Sequence, residues 1–115
     1  MGAQYVKFER TGVAIVGRVI PSKVTEREAG VIRDEVAAAA PEAGWRVALD
    51  LSEVALLASA GIGTLLTLSK SCREAGGRLT LFGLDEEVEG MMKVTKLDRV
   101  LDIRPDRAAA LGVFK

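Results

Sequence analysis

Along residues 4–9 the chain alternates: Val6 and Phe8 fall on one side, Tyr5, Lys7 and Glu9 on the other. A period of two predicts a half-buried strand. Arg10, Thr11 and Gly12 read as a turn in which Gly12 is free to take positive φ. Residues 13–20, VAIVGRVI, are mostly aliphatic and β-branched. They predict a more deeply buried strand that forms an antiparallel hairpin with the first. Pro21 lacks the N–H that a ladder needs and ends the strand. The period then changes. In TEREAGVIRDEVAAAA, Ala29, Ile32, Val36 and Ala40 recur at helical spacing, with Arg27, Arg33 and Asp34 elsewhere on the wheel. Thr25 and Glu28 have capping-box spacing at the helix start. Pro41 and Gly44 stop it.

Residues 46–51, RVALDL, are nearly all apolar at their centre, as strands covered on both faces are. The helix between this strand and the second one is a crossover, so the two should lie parallel. Residues 60–75 predict a helix with Ile62, Leu65, Leu66, Ser69 and Cys72 on one stripe and Lys70, Arg73 and Glu74 off it. Gly76 and Gly77 end it. Arg78–Phe82 reads as a strand. Asp85 caps a helix from Glu86 to Val94 that turns Val88, Met91 and Met92 inward. A short edge strand is expected within 99–103 and a short Ala-rich helix over 106–113. The order β-β-α-β-α-β-α-β-α predicts an α/β fold. It is a single domain over 1–115, with a mixed, mainly parallel sheet of four to five strands packed with helices.

Composition narrows the function. With 16 Lys plus Arg against 16 Asp plus Glu, the net charge is zero, which disfavours nucleic acid or an anionic membrane as the main partner. There is no His, which removes Ser-His and Cys-His nucleophilic sites and His metal sites. The single Cys72 can form neither an internal disulfide nor a multi-Cys zinc site, and on the apolar stripe it reads as a small core hydrophobe. The first residues, MGAQYVKFER, turn charged quickly and do not read as a signal peptide. No apolar run has the length of a membrane span. The expected location is the cytoplasm, with no membrane insertion. Gly61-Ile62-Gly63 lacks the spacing of a phosphate-binding loop, and no bound cofactor or metal is expected.

One stretch remains unexplained by packing alone. In LLASAGIG an aliphatic run breaks into small residues around a single hydroxyl, Ser59, where a strand and its loop hand over to a helix. In one reading Ser59 is the N-cap and accepts from the amide of Gly61 or Ile62. In the other, a hydroxyl beside the free amides and positive end of a helix is a phosphoacceptor. A phosphate there would add about −1.5 to −2 charge to a docking surface while barely disturbing the fold.

The stretch VALDLSEVALLASAGIGTLLTLSKSCREAGGRLTLFGL resembles the core of STAS domains, the anti-sigma-factor antagonist family. EVEGMMKVTKLDRVLDI resembles that family's ending, a helix, then Thr-Gly-Leu-Asp, then a short strand. The likeness covers residues 46–103, and the hairpin and first helix fit the family's order ahead of it. The resemblance implies a STAS-like fold and a protein-interaction module of bacterial signal transduction and transcription regulation, without catalytic residues. The implied partner is a serine kinase that doubles as an anti-sigma factor and has an ATP-binding fold. No direct contact with nucleic acid is implied. In that family the loop reads Asp-Ser-Ser-Gly or Asp-Ser-Ala-Gly, and its first Ser is phosphorylated by the partner. Ser59 occupies that position, and Ala60 and Gly61 match the residues after it. The expected docking surface comprises Pro21, Ser22, Lys23, Ala58, Ser59, Ala60, Gly61 and Ile62. The chain departs from the family at three places. Ala58 replaces the Asp thought to orient or activate the hydroxyl. Ile20-Pro21-Ser22-Lys23-Val24 stands where a Gly-x-Leu-Asp type turn is frequent. Lys96 stands where Gly is frequent. Alternatives of the same fold are a non-phosphorylated adaptor or scaffold and a subunit of a lipid or anion transport complex. A small-molecule binder with a pocket at the helix start is a further alternative. An enzyme is disfavoured, because no general base of suitable type is visible near Ser59.

Overall fold

The computed structural model describes residues 4–115. Residues 1–3 lie outside the described residues, and with them part of the 1–115 domain expected above and of the segment read as no signal peptide. The alternating strand is β1, Val6–Arg10, and it pairs antiparallel with β2, Ile15–Val19, with Val6 opposite Val19 and Arg10 opposite Ile15. Gly12 does not take positive φ. Thr11 holds the turn instead: its hydroxyl accepts from the amides of Val13 at 3.2 Å and Ala14 at 3.0 Å.

Helix α1, Glu26–Ala39, begins at the expected capping box. The Glu28 carboxylate accepts from the Thr25 N–H at 2.9 Å and from its hydroxyl. These two bonds hold the Glu28 carboxyl below its ordinary pKa. After α1 a single 3-10 turn, Ala40–Ala43, ends in Gly44 at φ 63, where glycine is at ease.

Strand β4, Arg46–Asp50, lies parallel between β2 and β6, Arg78–Phe82. Strand β7, Asp102–Arg104, extends the sheet parallel to β6, giving the order β1-β2-β4-β6-β7. Val47, Ala48 and Leu49 of β4 are completely buried, as a strand covered on both faces requires. Helices α2, Ser59–Glu74, and α3, Glu86–Val94, join α1 on one face. There Val47, Leu49, Leu79 and Leu81 meet Ile32, Val36, Leu65, Leu68, Cys72, Val88 and Met92. The alternate residues Val16, Ala48 and Phe82 face the other way. They are covered by Ala110, Leu111 and Phe114 of the C-terminal segment containing α4, Arg107–Gly112. Asp106 caps α4 by accepting from the Ala109 amide at 2.9 Å. The tight join between α2 and β6 rests on Gly77, where an added Cβ would stand 2.1 Å from the Trp45 carbonyl oxygen. Trp45 itself is half-buried against the core.

Three sequence expectations change. The buried stripe of α2 consists of Gly61, Thr64, Leu65, Leu68 and Cys72, whereas Leu66 is exposed. Thr64 can be buried because its hydroxyl donates to the Ala29 carbonyl at 3.3 Å, and Gly61 because it has no side chain. The edge strand begins later than expected, since Leu97–Arg99 form a 3-10 turn first. A second, two-stranded parallel sheet joins β3, Lys23–Val24, to β5, Leu56–Leu57, in segments expected to be turn and loop.

Candidate functional site around the start of α2

The small sheet sets the geometry of this site. The amides of Ala55 and Leu56 both donate to the Ser22 carbonyl, at 2.7 and 3.0 Å, and the Ala58 amide donates to the Val24 carbonyl at 2.9 Å. The segment leading into α1 is thereby tied to the segment leading into α2. Sequence reasoning missed the pairing because two residues per strand leave no periodic signature. Of the residues expected at the site, Ser22, Lys23 and Ser59 are exposed and Pro21, Ala58, Ala60 and Ile62 are half-buried. Gly61 is buried, so it shapes the surface from beneath. A Cβ there would stand 2.6 Å from Leu57 Cδ1, 2.9 Å from Val24 Cγ1 and 3.2 Å from the Val24 carbonyl oxygen.

The helix start differs from the capping reading. Ala58 is the N-cap, in extended conformation, and offers no side-chain cap; Ser59 is the first helical residue. The first intrahelical bond runs from the Ile62 amide to the Ala58 carbonyl at 3.0 Å. The amides of Ser59, Ala60 and Gly61 therefore have no partner within the helix, and the positive end of its dipole is left uncapped. Ser59 sits one position too late to serve as N-cap; the residue is exposed, and its hydroxyl makes no hydrogen bond among the described residues.

An apolar cleft of about 190 Å³ lies between β5 and α3, lined by Ala55, Leu56, Leu57, Glu87, Val88 and Met91. Leu56 is 49% exposed, unusual for a leucine in such a cluster. Met91 and Met92, both expected inward, divide: Met92 is fully buried, while Met91 is half-buried and lines the cleft. Cys72 is buried in the core, where desolvation pushes its thiol up to about 11, so it is inert as a nucleophile near neutral pH. Among the described residues no three His, Cys, Asp or Glu side chains come together as a metal site, and no helix is long and apolar enough to cross a membrane.

Comparison with known proteins agrees with this architecture. A putative anti-sigma factor antagonist, BtrV of Bordetella bronchiseptica, is 28% identical over 92 residues, covering 80% of this chain and 79% of the relative. An anti-sigma-B factor antagonist of Listeria monocytogenes is 32% identical over 56 residues, covering 49% of each chain. An anti-sigma-factor antagonist (STAS) domain protein from Planctomyces limnophilus superposes with a TM-score of 0.81 at 22% identity. That match covers 95% of this chain and 97% of the other. The family model described as Mlab, STAS domain, matches residues 9–104. With a family model spanning most of the chain and an overall fold shared with a STAS domain protein, the chain belongs to the STAS domains.

Proposed function

We propose that this STAS domain is an anti-sigma-factor antagonist-like module that docks a serine kinase/anti-sigma factor with an ATP-binding fold, and that a phosphate on Ser59 releases the partner. The observation that carries the reading is the exposed Ser59 at the first turn of α2, with uncapped amides beside it. A phosphate there gains from the helix dipole and the free N–H groups, so the fold tolerates it. The same phosphate places charge one helical turn from Ile62, where a docked partner would have to desolvate it. The description of the Bordetella relative as a putative anti-sigma factor antagonist supports the class of partner. Ser22 and Lys23 extend the surface, with Pro21, Ala58 and Ala60 at its base.

A second reading has its own observation. Ala58, the residue before Ser59, supplies no carboxylate to orient the hydroxyl, which favours constitutive docking on the same surface, with Ser59 unmodified. One experiment separates them. The tagged chain is purified with its bound kinase, treated with ATP and magnesium, and examined by mass spectrometry and gel filtration. The switch predicts one phosphate on Ser59 and loss of the partner, with Ser59→Ala retaining the partner in ATP. An unmodified Ser59, together with a Ser59→Asp variant that keeps its partner, supports constitutive docking and rejects the switch.

A further inference from the structure

Away from the start of α2, a groove of about 700 Å³ lies between β1 and α1. Its apolar lining comes from Val6 and Phe8 of the strand and from Val31, Ala38 and Ala39 of the helix. Strand β1 is an edge of the five-stranded sheet. The Tyr5 carbonyl accepts from the Ile20 amide across the hairpin at 2.8 Å. By the alternation of an antiparallel ladder, Lys7 and Glu9 also turn their backbone groups toward β2, and Val6, Phe8 and Arg10 turn theirs outward. The outward N–H of Val6 is taken by Glu35 Oε1 at 2.9 Å, and its carbonyl accepts from Gln4 Nε2 at 3.3 Å. Among the described residues, the outward groups of Phe8 and Arg10 have no such cover. An edge of this kind, running along an apolar groove roofed by a helix, is suited to receive an added strand.

Charge selects the occupant. The groove is lined by three carboxylates, Asp34, Glu35 and Glu42, and by no Lys or Arg. Arg33 and Arg10 pair with Asp34 and Glu42 from outside, at 3.3 and 3.6 Å, in exposed ion pairs of the kind that an incoming cation can replace. Antiparallel pairing of two β1 edges would bring two sets of these carboxylates together, which disfavours a second copy. We infer that this groove binds an extended segment of a partner protein, added as a sixth strand beside Phe8 and Arg10, whose every second residue, on the side facing α1, is basic and lays its aliphatic stem along the apolar lining to reach Asp34 and Glu42, with Glu35 marking where pairing stops.

The test titrates the isotopically labelled chain with a short acetylated peptide alternating valine with lysine, and with its glutamate counterpart, followed by amide NMR. The lysine peptide is expected to shift residues 6–10 and 31–42 and to slow exchange of the Phe8 amide, while the glutamate peptide leaves them unmoved. Asp34→Lys combined with Glu42→Lys, both exposed and so compatible with folding, should weaken the lysine peptide at least about tenfold by removing charge complementarity. The same variant should admit the glutamate peptide. Equal response to both peptides, shifts elsewhere, or no response up to the solubility limit of the lysine peptide overturns the assignment. Concentration-dependent shifts of residues 6–10 without peptide overturn it in favour of a second copy.

Discussion

Lys96 follows α3 at φ 61, ψ 22, in the left-handed region that glycine adopts freely and lysine does not. Its amide still donates to the Lys93 carbonyl at 3.1 Å, so the helix ending survives the substitution at the expense of backbone strain. The side chain is exposed and makes no ion pair among the described residues. Lys96→Gly therefore removes strain of about 1–2 kcal/mol and restores chain entropy to the unfolded state of about 0.5–1 kcal/mol. The net expectation is a gain of about 0.5–1 kcal/mol, readable as a higher urea midpoint at unchanged slope. That this position asks for glycine was visible in the sequence only through family resemblance. No local pattern shows a φ angle.

At the level of elements, the sequence was most legible where hydropathy has a period and the ends carry chemistry. The Thr25–Glu28 box and the Asp85 cap, which accepts from the Val88 amide at 2.8 Å, both form as their spacing implied. It was least legible on α2. There the buried face includes Gly61 and Thr64, which no hydropathy scale selects, and Leu66 was drawn into the stripe in their place. Ser59 misleads for a related reason: a serine just before an apolar run looks like a cap, whereas the chain turns one residue earlier, at Ala58. Helix α2 consequently lacks the side-chain cap that α3 and α4 have. Ala58→Asp supplies an acceptor for the Ala60 or Gly61 amide and should stabilise the fold by about 1 kcal/mol. Thermal unfolding would report it as a rise of about 4–8 °C. No rise would mean that the cap amides are already satisfied.

For the molecule as a whole, the two sides of the sheet are unequally covered. Three helices occupy one face. The other depends on a short C-terminal helix, the Thr80 hydroxyl donating to the Ala110 carbonyl at 3.3 Å, and the Arg107–Glu9 pair at 2.8 Å. That guanidinium holds the Glu9 carboxyl below its ordinary pKa, but the pair is exposed and secondary to the apolar contact. Ala110 is completely buried over Val16, Ala48 and Phe82. Ala110→Asp would bury an unpaired carboxylate there and should cost about 3 kcal/mol or more. Denaturant unfolding would measure the loss, with dye binding to the uncovered face as a second readout. The antiparallel hairpin and the parallel relation of β2 and β4 were legible, because a tight turn joins the first pair and a helical crossover the second. The small second sheet was not, since its partners are more than thirty residues apart and each strand is only two residues long.

That small sheet has a mechanical consequence. Because the Ser22 and Val24 carbonyls hold the approach to α2, the lead-ins of two neighbouring helices behave as one stiff handle. A protein that grips residue 59 has hold of residue 22 as well, and a push at either end is felt at the other without any rearrangement of the strands beneath.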